Sequence, residues 1–548
     1  MNLKQLIIPT FSALILLSCA QIVPLSGGEK DIEPPKEIES LPQNGSINFS
    51  EKTITIKFNE FIKLNNLSSQ LIVSPIMETP PEVLVKGKKM VIKLKDELIS
   101  NTTYSLNFGN AITDITENNV FPNYKYVFST GSYIDSLSYS GVVVNSFDLA
   151  KKESIYVLLY DQFEDSIPYK ELPRYVALTD KEGNFSITNI ANGKYKFFAI
   201  DDINGNYLFD LPNEEIAFKS EAIQLDSSSY DNHIYLFEEE SDLQYVVKAE
   251  NTEYGKIDVV LNIPNTHYGF GFDSSILSFR YENNTKGDTL SLWLNKPTKL
   301  DSVVFSIYEL VSISEKGRVF RTNPKILSRF DTLNISIDKV VLEDTFLNII
   351  SNLVPLFDLN KNISLISKRP ILNFDFSKIK LFEDSIDVQI NMEKVKSEGA
   401  YVHRRSKLNY SFNENTNYQL FIPPGAFEDI YGLKNDTVKI DFKTKSESDY
   451  GIINLNVKPN FSKNYIIQLF KGKKIINEHT FKGDIKTTYK YLAPGNYELK
   501  LIIDSNGDNK WNTGNYLEGL QPEKVIYYEK EIKIRANWDN DIIWTINE

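Results

Sequence analysis

The chain has 548 residues, which at roughly 150 residues per domain corresponds to about three to five domains. Its 60 Lys and Arg residues are outnumbered by 73 Asp and Glu residues, which gives a net charge of −13. This balance argues against a nucleic-acid-binding protein, because such a protein needs a basic face to displace counterions from phosphate. The chain has a single Cys, so an internal disulfide and a zinc site built on several thiolates are both excluded.

The first residues have the pattern of a bacterial export signal. Lys4 supplies a positive charge, and the apolar stretch over residues 6–17 is too short to cross a bilayer as a helix. The stretch runs into Leu-Leu-Ser-Cys at residues 16–19, which resembles the lipobox at which bacteria cleave a signal and acylate a thiol. We therefore expect residues 1–18 to be removed and Cys19 to carry the lipid that anchors the mature protein to a membrane.

The residues after Cys19 indicate which membrane carries the protein. In well-studied bacteria with two membranes, Asp after the lipidated cysteine retains lipoproteins at the inner membrane, whereas this chain has Ala20. The outer membrane is therefore the expected location, on either its periplasmic or its surface-facing side. Residues 19–35 contain Pro, Gly and polar side chains, which is typical of a tether.

The chain also repeats itself over a long distance, which is its strongest architectural signal. Asn-Thr-Thr-Tyr at residues 101–104 is echoed by Asn-Thr-Asn-Tyr at residues 415–418, and this offset of 314 residues is nearly constant across one unit. A second kind of unit follows each copy, because Gly-x-Tyr lies nine residues before both Asp202 and Asp504. The pattern indicates an A–B–C–A′–B′ order of units. Alternating apolar and polar residues, as at residues 53–58, predict that these units are β-sandwiches.

The first unit resembles the bacterial Ig-like domain first described in S-layer proteins. The resemblance lies in Phe58-Asn59-Glu60, the Asn-Thr-Thr-Tyr motif, Ala-Ile-Thr-Asp at residues 111–114 and Phe-Ser-Thr at residues 128–130. The second copy departs from the pattern, because Phe376-Ser377-Lys378 lacks the acid. The B unit, with Gly-Asn-Phe at residues 183–185, resembles the prealbumin-like or carboxypeptidase-regulatory-like sandwich.

The whole layout resembles large Ig-like outer-membrane lipoproteins of Bacteroidota. The resemblance includes Gly-Gly-Glu-Lys-Asp at residues 27–31 and the aromatic residues Trp511 and Trp538 near the end of the chain. It implies a lipid-anchored, non-catalytic scaffold or accessory subunit of an envelope complex, such as one for outer-membrane protein assembly or export. The implied partners are the membrane, through the lipid, and an envelope protein.

The predicted fold class is all-β, with tandem Ig-like and prealbumin-like β-sandwich domains and one short helix around residues 342–353. The predicted segments are a signal peptide (1–18), a tether (19–35), a bacterial Ig-like domain (36–135), a prealbumin-like sandwich (136–242), a β domain (243–340), a degenerate second Ig-like domain (341–448) and a second prealbumin-like sandwich (449–548).

Two loops of the B units have oxygen-bearing side chains at the spacing of calcium-binding loops. Calcium takes six to eight hard oxygen ligands, and positions 1, 3, 5, 9 and 12 of such a loop can surround one ion. We expect any ion held there to be structural, and the alternative is a rigid turn in which Asp and Asn bind nearby backbone amides. The candidate ligands are Asp202, Asn204, Asn206, Asp210 and Asn213 in the first loop, and Asp504, Asn506, Asp508, Asn512 and Asn515 in the second.

The remaining motifs favour structural roles over catalysis. The histidines at 233, 267, 403 and 479 form no metal-binding pair, and no nucleophile elbow or phosphate-binding loop occurs. His-Arg-Arg at residues 403–405 is interpreted as a solvated turn, with contact to lipid headgroups or to a partner as the alternative. Two rival functions remain open, which are a surface glycan-binding lipoprotein with the Trp side chains as its platform and, less favoured, a hydrolase.

Overall fold

A computed structural model describes residues 30–240, 244–264, 268–272, 279–284, 286–295, 297, 301–311, 325–337, 341–395 and 403–547. Strands hold 52% of the described residues and helices 3%, which confirms the all-β prediction. The signal, Cys19, most of the tether and His267 lie outside the described residues. In the described ranges no helix is long and apolar enough to cross a membrane.

The chain divides into two compact units. One unit comprises Met1–Val144 and Ala150–Leu236, and the other comprises Asn145–Leu149 and Phe237–Glu548. The strands fall into five successive groups with separate apolar cores, which we call modules 1–5.

Module 1 folds because its strands alternate buried apolar and exposed polar side chains. In Thr53–Phe58, for example, Ile54, Ile56 and Phe58 enter the core. The sheet orders are β1-β2-β6-β5, β4-β7-β9 and β3-β8. Its elements are β1 (Glu37–Leu41), β2 (Thr53–Phe58), β3 (Ile62–Leu64), α1 (Leu67–Gln70), β4 (Ile72–Ser74), β5 (Glu82–Lys86), β6 (Lys89–Lys93), β7 (Thr103–Asn107), β8 (Ile112–Asp114) and β9 (Lys125–Ser129).

Module 2 is built around β14, which pairs with the strands at both of its edges. Its strands form the order β12-β11-β14-β15-β17-β10-β13, with β16 added to β14. Its elements are β10 (Leu137–Asn145), β11 (Tyr156–Tyr160), α2 (Ile167–Lys170), β12 (Tyr175–Leu178), β13 (Asn184–Ile190), β14 (Gly193–Ile200), β15 (Glu215–Phe218), β16 (Ile223–Leu225) and β17 (Ser229–Glu238).

Module 3 consists of two antiparallel sheets, in the orders β18-β19-β22-β21 and β20-β23-β24. Its core takes one face of each strand, such as Ile257, Val259 and Leu261 of β19. Lys256 and Asp258 of β19 lie on the opposite face. The strands are β18 (Val246–Glu253), β19 (Lys256–Leu261), β20 (Tyr268–Phe272), β21 (Phe279–Asn283), β22 (Thr289–Leu294), β23 (Ser302–Val311) and β24 (Lys325–Ser336).

Module 4 has sheets in the orders β25-β27-β32-β31, β26-β35-β33-β29-β30 and β28-β34. The strands are β25 (Ile349–Ser351), β26 (Leu356–Phe357), β27 (Ile363–Ser367), β28 (Ile371–Phe374), β29 (Lys380–Glu383), β30 (Ile386–Val388), β31 (Asn391–Val395), β32 (Arg405–Asn409), β33 (Asn417–Ile422), β34 (Phe427–Asp429) and β35 (Val438–Thr444).

Module 5 has sheets in the orders β39-β36-β43 and β38-β37-β40-β41, with β42 added to β40. Its strands are β36 (Gly451–Pro459), β37 (Asn464–Lys471), β38 (Lys474–Lys482), β39 (Ile485–Leu492), β40 (Gly495–Asp504), β41 (Val525–Tyr527), β42 (Ile532–Ile534) and β43 (Asp539–Ile546).

The sequence repeats correspond to repeated structure. In module 1, Tyr104 stacks on Phe128 with ring centroids 5.2 Å apart, and in module 4, Tyr418 stacks on Phe442 at 5.4 Å. Both tyrosine hydroxyls accept a backbone N–H five residues earlier, from Ile99 at 2.8 Å and from Asn413 at 3.0 Å. The Asn-Thr-x-Tyr motif therefore marks a strand whose Tyr closes the preceding loop.

The predicted helix around residues 342–353 is wrong. This segment contains strand β25, whose Ile349 pairs with Ser367 of β27. Leu347 and Ile349 are buried, whereas Phe346 and Ile350 are exposed. This alternation has the period of a strand, so cross-strand pairing overrides the apolar spacing that suggested a helix.

The position predicted for the missing acid of the second Ig-like copy is also wrong. Ile62 pairs with Asp114 in module 1, and Ile371 pairs with Asp429 in module 4, so these positions are equivalent. Two residues before each Ile stand Glu60 and Arg369. The second copy thus has a cation where the first has a carboxylate, whereas Phe376–Lys378 form a 3-10 turn.

Candidate functional site

The first predicted calcium loop follows β14 and is closed by its own hydrogen bonds. Asp202 accepts the backbone N–H of Gly205 at 2.7 Å and that of Tyr207 at 2.6 Å. The side-chain amide groups of Asn204 and Asn206 donate to the two oxygens of Asp210, at 3.0 and 2.8 Å. These are the bonds of an Asx-type turn, which hold the loop rigid.

The second loop follows β40 and has the same arrangement. Asp504 accepts the N–H groups of Gly507 at 2.6 Å and of Asn509 at 3.0 Å. Asn506 donates to Asn512 at 3.1 Å, and Asn512 donates to Asp508 at 3.1 Å. The two loops, about 300 residues apart in the printed sequence, therefore use equivalent positions for equivalent bonds.

Each loop is closed by a buried glutamate that the sequence analysis missed. Glu214 accepts the N–H groups of Ile203 and Asp210 at 3.2 and 3.0 Å. Glu523 accepts those of Ser505 and Asn512 at 2.6 and 3.2 Å, and burial raises the pKa of Glu523.

The residues predicted at position 12 lie elsewhere. Asn213 is exposed, and the side chain of Asn515 accepts the N–H of Glu518 at 2.9 Å in a separate turn. Glu214 and Glu523 follow their loops at different distances, so no common spacing in the sequence identified them as partners of the loops.

The hydrogen bonds within the loops do not form a calcium ligand set. Asn204 and Asn206 turn N–H groups toward the carboxylate of Asp210, whereas calcium requires oxygen atoms. In the part of the chain that the structure describes, no group of three or more His, Cys, Asp and Glu residues could hold a metal ion. Structural calcium therefore stays a prediction, which requires both Asn amides to rotate.

Unfolding with and without a chelator tests this prediction. If the loops bind calcium, we expect the ion to raise the melting temperature and the chelator to reverse the effect, because a ligand of the native state stabilises it. Asp202→Asn is the matched variant, since it keeps an oxygen for the turn but removes a charge. A melting temperature that changes with neither calcium nor chelator would show that the loops bind no calcium.

The Trp side chains do not form the platform expected of a glycan-binding protein. Trp293 and Trp544 are buried in modules 3 and 5. The half-buried Trp511 donates its indole N–H to the carbonyl of Glu523 at 3.0 Å. Trp538 is 57% exposed. Three of the four Trp residues are thus used in packing, which counts against the glycan-binding alternative.

The described histidines lie on separate parts of the fold. His233 is exposed on β17, and His479 of β38 stacks on Tyr489 with centroids 5.5 Å apart. His403 lies edge-on to Phe374 at 6.1 Å. The structure does not bring these three histidines together, and the prediction that the protein is not an enzyme stays a prediction.

Arg404 and Arg405 do not form the solvated turn predicted from the sequence. They line a cleft of 280 Å³ together with Lys256, Asp258 and Glu282 of module 3. Arg405 begins strand β32, where it pairs with Ile366 of β27. We call this site the polar cleft; its full lining is Lys256, Asp258, Glu282, Asn283, Asn284, Thr289, Ser291, Ile366, Arg404 and Arg405.

Arg404 joins modules 3 and 4 across the polar cleft. Its Nη1 lies 2.5 Å from Oε1 of Glu282, and its Nε donates to the carbonyl of Ser367 at 2.9 Å. Its guanidinium also packs on the ring of Trp293, 5.3 Å from the centroid, and Lys256 lies 5.7 Å from the same centroid. A buried indole in contact with two cations favours a fixed joint.

Asp258 is the second carboxylate of the polar cleft and is fully engaged. It lies 2.9 Å from Nζ of Lys256 and accepts hydroxyl hydrogen bonds from Thr252 at 2.7 Å and Ser291 at 2.5 Å. Burial raises the pKa of Asp258, but these hydrogen bonds outweigh it and hold the pKa below its ordinary value. The polar cleft therefore contains two carboxylates, each paired with a cation.

Comparison with known proteins gives one informative match. Residues 31–130 match the family model of the bacterial Ig-like domain. None of the curated proteins matches the chain.

Solved structures align over much of the chain at low identity. BcpA, the major pilin subunit of Bacillus cereus, is 8% identical over 75% of this chain and 99% of its own, with a TM-score of 0.15. Domains 1–6 of the surface layer protein SbsC are 9% identical over 90% of this chain and 66% of theirs, with a TM-score of 0.15. The TIE protein of Bacillus anthracis is 9% identical over 95% and 75%, with a TM-score of 0.15.

At TM-scores this low, these likenesses carry no argument about function. The match at residues 31–130, together with the five groups of strands, carries the assignment. The chain is an all-β multidomain protein with a bacterial Ig-like domain at its N-terminal end.

Proposed function

We propose that this protein is a structural protein of a bacterial envelope, anchored at the outer membrane by a lipid on Cys19. Its modules hold a protein partner at the membrane and carry out no catalysis. The lipobox-like residues 16–19 support the anchor, and the bacterial Ig-like domain at residues 31–130 supports the structural role.

The observation that carries the proposal is the bonding between neighbouring modules within each unit. Between modules 1 and 2, Ser74 accepts the N–H of Val176 at 2.9 Å, and Asn189 donates to the carbonyl of Asp135 at 3.0 Å. These contacts join a side chain to the backbone, so they oppose bending between the modules. A protein that must hold a partner at a fixed distance needs such joints.

The joint between modules 4 and 5 has the same character. Tyr450 donates its hydroxyl hydrogen to Asp358 at 3.2 Å and accepts the N–H of Leu359 at 2.9 Å. Lys445 adds an ion pair to Asp358 at 2.7 Å. Asp358 of module 4 thus holds both Lys445 and the first residues of module 5 in place.

Co-purification tests the proposed scaffold. The tagged wild-type protein, extracted from outer membranes with mild detergent, should bring down one envelope protein in stoichiometric amount. Cys19→Ser is the matched control, because it keeps every module but releases the protein from the membrane. The released protein no longer meets its partner at the high local concentration of the membrane surface. Recovery of the wild-type protein alone would contradict the scaffold role.

A further inference from the structure

The charges of the polar cleft do not pair completely. Lys256 pairs with Asp258 at 2.9 Å, and Arg404 pairs with Glu282 at 2.5 Å. Arg405 is the third cation of the lining. Within the described residues, no hydrogen bond or ion pair involves its guanidinium group.

The two carboxylates nearby are poorly placed to serve as partners for Arg405. Asp258 already accepts bonds from Lys256, Thr252 and Ser291, and Glu282 is engaged by Arg404. A guanidinium group has five N–H donors in a planar fork that matches a carboxylate or a phosphate group. The guanidinium group of Arg405 is thus half-buried in a cleft with its donors available to a ligand. It is a cation in a chain whose net charge is −13.

The backbone holds Arg405 in place for such a contact. It pairs in register with Ile366 on one side and with Val395 on the other, so its Cα is fixed in the middle of a sheet. Thr289 and Asn284 also line the cleft and bring polar side chains to it. Sites on strands are more precisely placed than sites on loops.

We propose that the polar cleft binds an oxyanion, either a carboxylate or a phosphate, carried by a small ligand that Arg405 holds in a bidentate pair. Small-molecule sites usually measure roughly 300–1,000 Å³, and the cleft measures 280 Å³, so the ligand has to be small. This site goes beyond the proposed function, because neither the lipid anchor nor the module joints require it.

Two anions test the proposal on the full mature chain in detergent. Inorganic phosphate and glucuronate are titrated at constant ionic strength, with sodium chloride and glucose as reference solutes, and binding is followed by calorimetry and by tryptophan fluorescence. The buried Trp293 lies against Arg404 and Lys256 of the same lining and serves as an internal reporter. We expect one of the two anions to bind above the chloride reference.

Arg405→Gln should weaken that binding roughly tenfold to a hundredfold, since a hydrogen-bonded charge pair is lost. The unfolding midpoint should stay unchanged, because the guanidinium group has no partner to lose among the described residues. Lys407→Gln is the matched control, because it makes the same charge change two residues along β32, outside the cleft lining.

The outcomes separate the possible sources of the anion. Binding of glucuronate alone assigns the site to a carboxylate on a sugar, and binding of phosphate alone assigns it to a phosphate group. Equal binding by the wild-type and Arg405→Gln chains would overturn the proposal, as would binding of neither anion above chloride.

Discussion

Arg369→Ala is expected to destabilise module 4 by about 3–5 kcal/mol, because it removes one partner of a buried charge pair. Arg369 is 3% exposed, and its Nη1 lies 3.5 Å from Oδ2 of Asp429, which is 0% exposed. Its Nη2 contacts Asp344. Burial already raises the pKa of Asp429, and Arg369 is the cation that opposes this effect. Without Arg369, the carboxylate of Asp429 keeps the backbone N–H groups of Tyr431 and Leu433 but has no cation beside it, so it has to take up a proton or stay buried as an unpaired charge.

Native-state hydrogen exchange of strand β34 measures this effect, because it reports on one module of a multidomain chain. Lys368→Ala is the matched control; its partially exposed pair with Asp344 at 3.0 Å should contribute less than about 1 kcal/mol. The double variant Arg369→Met with Asp429→Asn should recover most of the loss. Equal exchange in the Arg369→Ala and Lys368→Ala chains would contradict the buried pair.

Lys500→Met is expected to stabilise module 5 at neutral pH by about 2–3 kcal/mol, because it removes a charge from an apolar site. Lys500 is 1% exposed on β40, and its Nζ lies 3.1 Å from the ring centroid of Phe147, within the same compact unit. Burial lowers the pKa of Lys500 to about 8, although the charge of Asp148 raises it.

The wild-type and Lys500→Met chains should differ in their free energy of unfolding, and this difference should depend on pH because of the lowered pKa. The ordinary value is 10.5, so between that pH and about pH 8 the unfolded chain binds a proton that the folded chain does not. The stability of the wild-type protein therefore falls relative to Lys500→Met as the pH drops through this window, and the difference is constant below it. Denaturant unfolding from pH 7 to 11 measures the difference, and Lys486→Met, at an exposed position of β39, is the control. A stability difference that does not vary with pH would show that the ammonium group of Lys500 reaches solvent.

The repeats were the part of the fold most accessible from the sequence. The Asn-Thr-x-Tyr motif recurs because each Tyr stacks on a Phe of the paired strand and closes the preceding loop. One local structure therefore fixes the residues of the motif. Contacts between residues that are far apart in the chain leave no recognisable motif in the sequence. Arg369 looked unremarkable in the sequence, because only the pairing of β28 with β34 places it beside Asp429.

The candidate sites show the same limit. The two Asx-rich loops were visible because their polar residues are close together in the chain, but Glu214 and Glu523, which close them, follow at unrelated distances. Of the polar cleft only the basic pair Arg404 and Arg405 was visible in the sequence. Lys256 and Asp258 of β19 and Glu282 of β21 meet this pair only in the folded protein. The helix prediction failed for a related reason, since the pairing of Ile349 with β27 is a tertiary contact.

The most direct test of the proposed function is the attachment of lipid to Cys19. The protein is produced in a bacterium with two membranes that is fed an alkyne-bearing fatty acid, and its fractions are probed for label. We expect the wild-type chain to carry label and to sediment with the outer membrane, and the Cys19→Ser chain to be unlabelled and released from it. An unlabelled wild-type chain, or a Cys19→Ser chain that sediments with membranes as fully as the wild type, would contradict the anchored scaffold.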